Sequence, residues 1–266
     1  MLFRSRPLNR LLRIETPLLD STTAPEPPAG FIFHMSRCGS TLVSQMLGAA
    51  PGHVAISEAP PIDAVVRHGF ADTRAHENAL RAIIHAYGRA GRLFVKLDAW
   101  HTRALPLIRR AFPDTPWLFL YRDPVEVIVS HLRRRGGHVA GAVPLTWFGL
   151  KPEDAVRPPP EFVARILAAI CQGAITHDRG EGLFVNYAEL PHAFFTRILP
   201  HFGVAPDAAV RTAMEIAAKR DAKAPTASFR LDSEAKQRDA DADLRATADH
   251  YLGPLFAQLE ARRTAA

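Results

Sequence analysis

The sequence predicts an α/β fold in which helices cover both faces of a central parallel sheet, giving a three-layer sandwich. Short apolar segments bounded by turn residues alternate along the chain with amphipathic helical segments. Polar residues that could bind a ligand directly follow several of these apolar segments, as ligand-binding residues do at the carboxyl ends of parallel strands. The 266 residues, 47% of them hydrophobic, suit one large domain better than two small ones.

The elements follow in chain order. Strands are predicted at the apolar segment beginning with Phe31 and at His53–Ser57, Leu93–Leu97, Trp117–Tyr121 and Leu183–Asn186. Helices are predicted after Gly39 and at Thr73–Arg89, Thr102–Phe112, Pro124–Arg133, Pro160–Ile175, Pro191–Phe202, Asp207–Ala218 and Asp239–Arg262. Residues 1–29 are interpreted as an N-terminal extension or linker and 30–266 as the domain. Residues 59–72 look loop-like, and the Gly- and Pro-rich residues 136–160 look like a long mobile loop.

The turn after the first strand is the most informative segment. Gly39 permits a backbone shape that a side chain would block, and Ser40 and Thr41 suit the first turn of a helix. The unpartnered N–H groups and the dipole of such a helix start favour an anion such as phosphate, and Arg37 adds a positive charge. The predicted anion loop comprises Ser36, Arg37, Cys38, Gly39, Ser40, Thr41 and Leu42.

Two further strand ends carry candidate ligand residues. Arg122 ends a strand, and Ser130 follows eight residues later on the next helix. A planar Arg fork and a hydroxyl two helical turns along could hold one phosphate between them. Tyr187 follows the strand at 183–186.

Composition narrows the partners and the compartment. The net charge of +6 attracts anions, but no dense Lys/Arg run with interleaved aromatics occurs, so we expect a small anionic ligand rather than nucleic acid. No apolar run of roughly 18 residues occurs, so no transmembrane helix is expected, and we expect no signal peptide. The two cysteines, Cys38 and Cys171, favour a reducing, cytoplasmic setting. The oligomeric state cannot be predicted.

These segments resemble the sulfotransferases that use 3′-phosphoadenosine 5′-phosphosulfate (PAPS). Residues 36–42 resemble their 5′-phosphosulfate loop, and Arg122 with Ser130 resembles their 3′-phosphate site. The segment 183–190 is similar to the strand whose Tyr lies near the adenine, although Ala188 and Glu189 depart slightly from the pattern. The motifs occur in the family's order, and the resemblance covers most of residues 30–190.

The resemblance implies a P-loop nucleotide-binding-like fold of the sulfotransferase type, PAPS as sulfuryl donor, and no metal. The acceptor would be a hydroxyl or amine of a small molecule, carbohydrate or lipid, in a pocket built from 59–72 and 136–160. The family's C-terminal Arg-Lys-Gly segment is not intact here. Arg230 is the candidate remnant that would bind the cofactor.

The same resemblance gives three candidates for the base that takes the acceptor's proton. Glu58 is the first, because it resembles the Glu that carbohydrate and tyrosyl-protein sulfotransferases place after the same strand. Asp98 stands where small-molecule sulfotransferases have their catalytic His, and His101 lies three residues further on. A base with a pKa tuned toward working pH is expected. Arg37 would stabilise charge on the leaving phosphate.

Two alternatives remain open. The first is a P-loop phosphotransferase or small-molecule kinase that uses ATP. That class needs Gly-x-x-x-x-Gly-Lys-Ser/Thr and a magnesium carboxylate, and the loop at 36–42 has Arg in place of Lys and lacks a second glycine. The second is a nucleotide-binding relative that keeps the fold but performs no chemistry.

Overall fold

The computed structural model describes residues 26–70, 72–88, 91–219 and 233–265. Within them one sheet is formed by β1 (Gly30–His34), β2 (His53–Ser57), β3 (Arg92–Lys96), β4 (Trp117–Tyr121) and β5 (Gly182–Asn186). Every pairing is parallel and the strand order is β2-β3-β1-β4-β5. The predicted positions of the strands are confirmed to within a residue or two.

Helices connect and flank the strands. They are α1 (Ser40–Gly48), α2 (Pro60–Arg67), α3 (Thr73–Gly88), α4 (Leu105–Ala111), α5 (Pro124–Arg133), α6 (Pro159–His177), α7 (Leu199–His201), α8 (Ala208–Ala218), α9 (Ser233–Arg238) and α10 (Ala242–Ala265). α1 packs against α8 and β2, whereas α10 packs against α5, α6 and β5. β1 and β4 are buried along their whole length, as expected for apolar strands covered on both faces. The predicted three-layer α/β fold is confirmed.

The strand order brings the predicted ligand residues to one edge. β1 lies between β3 and β4, and its register pairs Ile32 with Lys96 and His34 with Leu120. Ser57, at the end of β2, also pairs with Lys96. Segments that follow β1, β2, β3 and β4 therefore emerge side by side. In open α/β sheets this carboxyl edge is where ligands bind.

The prediction of a loop at 59–72 was wrong, because α2 occupies residues 60–67. Pro60 and Pro61 lie in the first helical turn, where a missing N–H breaks no helical hydrogen bond. Ile62 and Val66 lie four residues apart and bury one face of the helix. The proline pair thus begins a helix, although two prolines together usually indicate a loop.

Three other segments differ in detail from the prediction. The helix expected at 191–202 consists of a π-helix, Phe194–Ile198, followed by α7. The helix expected at 102–112 is divided into a 3₁₀ turn, Ala99–Ala104, and α4. Residues 136–160 contain two short 3₁₀ turns, Leu145–Phe148 and Pro152–Val156. Val139 and Val143 are almost fully buried, so this connection is anchored to the core.

None of the helices that the structure describes is both long and apolar enough to span a bilayer. Cys38 and Cys171 are buried free thiols. Most of the predicted extension at 1–29, and Arg230, lie outside the described residues.

Candidate active site

The loop between β1 and α1 has an uncommon backbone. The φ angle is 78° at Ser36, 53° at Arg37 and 84° at Gly39. A non-glycine residue at positive φ costs of the order of 1–3 kcal/mol, and such residues concentrate at ligand sites. A Cβ on Gly39 would lie 2.7 Å from Cδ2 of Tyr187, so space as well as conformation requires glycine there. The loop is held in a specific, costly shape, as expected for a binding loop.

The start of α1 offers backbone donors. Gly39 is the N-cap residue, so the side chain that usually caps a helix start is absent at that position. The first N–H groups of α1 are therefore available to an anion, as the sequence predicts. Ser40 is buried in this turn, and Thr41 is partly exposed.

Two members of the predicted anion loop face the core with their side chains. The Cys38 thiol donates to the carbonyl oxygen of Leu120 at 3.1 Å, and burial raises its pKa to about 12. Leu42 is buried in the hydrophobic core. Both residues can contribute only backbone groups to a ligand.

Arg37 is partly buried beside the end of α5. Its guanidinium donates to the carbonyl oxygen of Arg134 at 2.7 Å. Burial and the charge of Arg134 lower its pKa, but an Arg side chain remains charged in proteins. A fixed positive charge therefore accompanies the N–H groups of α1.

Arg122 and Tyr187 form a second group at the edge. Arg122 is 4% exposed, forms an ion pair with Glu126 and donates to Oγ of Ser233 at 3.1 Å. Its guanidinium carbon lies 4.0 Å from the centroid of the Tyr187 ring. Since that ring also borders Gly39, the structure brings Gly39, Arg122 and Tyr187 together. Ser130 is buried two turns into α5.

The contact with Ser233 was missed by the sequence interpretation. α9 packs against α5, and Nε2 of Gln237 donates to Oδ1 of Asp123 at 3.0 Å. These contacts place the segment that follows the predicted Arg230 close to Arg122. A polar stretch without strong periodicity gave no signal that Ser233 would contact Arg122.

His34, at the end of β1, is a second residue that the sequence interpretation missed. Its Nδ1 accepts from the N–H of Ser36 at 3.0 Å, so Nε2 carries the proton of the neutral ring and donates to the Leu97 carbonyl oxygen at 2.9 Å. Burial and the charge of Lys96 lower the pKa of His34, which favours this neutral form. The imidazole thereby holds the backbone of the anion loop at Ser36.

Glu58 follows β2 and is held by two neighbours. Lys96 Nζ contacts Glu58 Oε1, and Nε2 of His34 lies 3.5 Å from the same oxygen. Burial acts to raise the pKa of Glu58, but the hydrogen bond to His34 and the charge of Lys96 outweigh it and hold that pKa well below its usual range. Glu58 is thus a weaker base than the sequence analysis expects.

Asp98 has the opposite electrostatic environment. It follows β3 and is 7% exposed. Burial and the negative charges of Glu58 and Asp63 raise its pKa to about 7. Of the three residues predicted as a base, Asp98 is the one whose carboxyl group exchanges its proton near neutral pH.

His101 uses both ring nitrogens within the protein. Nδ1 accepts from the N–H of Asp98 at 3.3 Å, and Nε2–H donates to Oδ1 of Asp63 at 3.0 Å. The ring is 1% exposed. This geometry suits a residue that orients Asp98 and Asp63.

The same three side chains have a spacing that could hold a metal ion. One ligand atom each from Asp63, Asp98 and His101 lies within 4.8 Å of the others. However, Nδ1 of His101 accepts a hydrogen bond from the N–H of Asp98, so the proton of the neutral ring is on Nε2. Nε2 is the nitrogen that a metal would need as a ligand, and it is therefore not free to bind one. The hydrogen bonds favour a proton-handling cluster, and the absence of a metal stays a prediction.

Solved sulfotransferase structures resemble this chain. STF9 from Mycobacterium avium aligns with a TM-score of 0.55 and 14% identity over 89% of this chain and 78% of that chain. The sulfotransferase domain from the curacin biosynthetic pathway gives a TM-score of 0.52 and 16% identity over 91% and 98%. The sulfotransferase from Alicyclobacillus acidocaldarius gives 0.51 and 16% over 90% and 96%.

The chain has the sulfotransferase fold. No protein-family model and no curated protein sequence matches it. At identities this low the structural likeness concerns the fold, and it confirms the resemblance stated from the motifs at that level. The chemistry that the carboxyl edge of the sheet can support depends on the residues described above.

Proposed function

We propose that residues 30–266 form a PAPS-dependent sulfotransferase that transfers a sulfuryl group to a hydroxyl or amine of an acceptor. One observation carries the proposal: the uncapped start of α1, Arg37 and the Arg122–Tyr187 pair converge at the carboxyl edge of a sheet with the sulfotransferase fold. When bound, PAPS supplies the sulfuryl group together with a phosphate leaving group.

The donor set fits a nucleotide that is anionic at both ends. Arg37 and the N–H groups of Gly39 to Thr41 would hold the 5′ end, where preorganised donors stabilise charge that develops on the leaving group. Arg122 and Ser130 would hold the 3′-phosphate. Glu126 fixes the Arg122 fork from one side, so the guanidinium is oriented before any ligand binds.

Asp98 is our choice of base. A general base works best with a pKa near the operating pH, and the pKa of about 7 at Asp98 meets that condition. Glu58 instead holds Lys96 through their ion pair, and the ammonium group is thereby fixed at the end of β3. His101 keeps Asp98 and Asp63 in place.

Nucleotide binding tests the proposal and separates it from an ATP-dependent kinase. We would measure dissociation constants calorimetrically for PAPS, adenosine 5′-phosphosulfate and ATP, each with and without Mg²⁺. The expected result is PAPS binding that depends on the 3′-phosphate and not on Mg²⁺. Tighter binding of ATP with Mg²⁺ would contradict it and favour the kinase.

Transfer activity separates an enzyme from a non-catalytic relative. Radiolabelled PAPS would be incubated with a panel of alcohols, phenols, sugars and amines, and sulfated products would be sought. Formation of any such product supports the proposal. PAPS binding without transfer to any acceptor in a broad panel would indicate a nucleotide-binding relative.

A further inference from the structure

His138, in the connection between α5 and α6, carries a buried polar atom without a partner. The residue is 4% exposed, and among the described residues nothing hydrogen-bonds its Nε2. Leaving a buried polar group unpaired costs about 1–3 kcal/mol. Native proteins pair nearly all such groups, so an unpaired one is a candidate for contact with a ligand or an ordered water.

The surroundings of His138 connect it to the proposed active site. Its ring centroid lies 5.8 Å from that of Trp100 and 5.1 Å from that of His131. Burial lowers its pKa to about 4, and the titratable groups of His34, Glu58 and Arg37 have smaller effects. Arg37 is in the anion loop, His34 supports that loop and Glu58 contacts Lys96, so His138 lies near the carboxyl edge of the sheet.

Trp100 connects the same place to the proposed base. Its indole N–H donates to Oδ1 of Asp63 at 2.7 Å, the oxygen that also accepts from His101. Its carbonyl oxygen accepts from Nε1 of Trp147 at 3.0 Å. Hydrogen bonds therefore hold both the indole ring and the backbone of Trp100 beside His138.

We propose that Nε2 of His138 hydrogen-bonds the acceptor hydroxyl, in a subsite for uncharged alcohols or phenols bordered by Trp100. The inference rests on the proposed function and names its acceptor class. A cationic acceptor would meet Arg37 and Lys96, and an anionic one would meet Glu58, Asp63 and Asp98. A neutral hydroxyl satisfies the imidazole without burying an unpaired charge.

The role is binding rather than proton abstraction. With a pKa of about 4, His138 is a weaker base than Asp98, whose pKa is about 7, so the acceptor's proton passes to the carboxylate. His138 orients the hydroxyl and Asp98 takes its proton.

Phenol is the probe for a direct test by NMR. The protein, saturated with adenosine 3′,5′-bisphosphate and labelled with ¹⁵N in its histidines, is titrated with phenol. We expect the ring-nitrogen shifts of His138 to move with phenol concentration. His85 is the matched control, since its Nε2 is also buried without a partner but only Arg81, besides burial, shifts its pKa; its signals should not move. An unchanged His138 spectrum would overturn the proposal.

Kinetics with phenol as acceptor give a second readout. His138→Ala and the polar His138→Gln are compared with His85→Gln, after thermal unfolding confirms that all three fold. Loss of one hydrogen bond should raise the KM for phenol about tenfold in His138→Ala, with partial rescue in His138→Gln and an unchanged dissociation constant for PAPS. An unchanged KM would overturn the proposal, as would a preference for charged acceptors.

The two proposals fail in distinguishable ways. If the wild-type protein binds neither PAPS nor the bisphosphate, the proposed function fails. If it binds PAPS and transfers the sulfuryl group while His138 responds to no phenol, only the acceptor subsite is wrong.

Discussion

The carboxyl edge of the sheet contains two groups of side chains with opposite charge. The cationic group comprises Arg37 and Arg122, with Tyr187 packed beneath the Arg122 guanidinium. The acidic group comprises Glu58, Asp63 and Asp98. Glu58 follows β2, Asp63 lies on α2 and Asp98 follows β3. The cationic group can bind an anionic donor, and the acidic group can accept a proton. A transfer reaction between a nucleotide and a hydroxyl needs both.

Within the acidic group, the three carboxyl groups have different proton affinities. Burial acts to raise the pKa values of Glu58 and Asp63, but their neighbours hold both low. His34 and Lys96 lower the pKa of Glu58. His101, Trp100 and Arg67 lower the pKa of Asp63. Asp98 is buried and also lies near these two ionised carboxylates, and both effects raise its pKa. Titratable neighbours whose pKa values diverge identify acid–base roles.

The largest expected effect comes from Asp98. Asp98→Asn keeps the size of the side chain but cannot take the acceptor's proton, so sulfuryl transfer should fall by roughly 10²–10⁴ while PAPS affinity is retained. In the wild type the rate should decline as pH falls below about 7, and this limb should vanish in the variant. Rates and calorimetric binding across pH 5–9, a range of about four units around neutrality, would check both.

Glu58→Gln is the matched comparison. It should keep an acidic limb but move it to lower pH, because the variant retains the Asp98 carboxylate and loses the Glu58 charge that helps to raise the pKa of Asp98. If Glu58→Gln removes the limb and Asp98→Asn does not, Glu58 is the base and the low pKa set by Lys96 does not persist in the working complex.

Stability gives an independent check on Asp98. The pKa is raised on folding from 3.8 to about 7, so the folded state binds the proton more tightly than the unfolded state. The free energy of unfolding therefore falls as pH rises between these values. Above pH 7, Asp98→Asn should be more stable than the wild type in urea titrations, even though it is less active. Equal destabilisation at every pH would indicate a structural role instead.

The next effect belongs to Arg37 in the cationic group. Arg37→Ala should lower transfer by roughly 10²–10³, since removing one preorganised donor to developing charge typically costs that much. Arg110→Ala is the control, because Arg110 is 51% exposed in its side chain and pairs only with Glu77 among the described residues. Initial rates at saturating PAPS would decide it; near wild-type activity in Arg37→Ala would remove the central claim about the anion loop.

The cationic group was accessible from sequence because its residues occur in contiguous motifs. Gly39 and Arg37 share one turn, and Arg122 lies just before α5, the helix that carries Ser130. The apolar strands could likewise be predicted from sequence, because β1 and β4 are buried on both faces and therefore consist mostly of apolar residues. Local signals were therefore sufficient for the fold and for the placement of the loop at 36–42 at the carboxyl edge of the sheet.

The properties of the acidic group depend on contacts between distant segments. Glu58 is a weak base because the register of β2 against β3 brings Ser57 beside Lys96. The tautomers of His34 and His101 depend on single backbone N–H groups that no pattern specifies. His138 lay in a segment predicted as a mobile loop, and only the packing of that segment shows its unpartnered nitrogen.

The smallest effects concern the 3′-phosphate. Arg122 is buried with Glu126, and removing the Arg alone would leave a buried carboxylate without its cation, which can cost about 3–5 kcal/mol of stability. The informative variant is therefore Arg122→Met combined with Glu126→Gln, compared with Glu126→Gln alone. Charge-assisted hydrogen bonds contribute about 1.5–3 kcal/mol, so the double variant should bind PAPS about 10–100-fold more weakly.

Ser130→Ala should weaken PAPS binding less, by about two- to tenfold, because a hydroxyl gives a neutral donor. The decisive quantity is the ratio of the dissociation constants for adenosine 5′-phosphosulfate and PAPS, which differ by the 3′-phosphate. Both sets of variants should bring this ratio toward one while leaving the affinity for adenosine 5′-phosphosulfate nearly unchanged. A ratio equal to that of the wild type would place the 3′-phosphate elsewhere, and an equal loss for both nucleotides would mean that Arg122 and Ser130 shape the pocket without contacting that group.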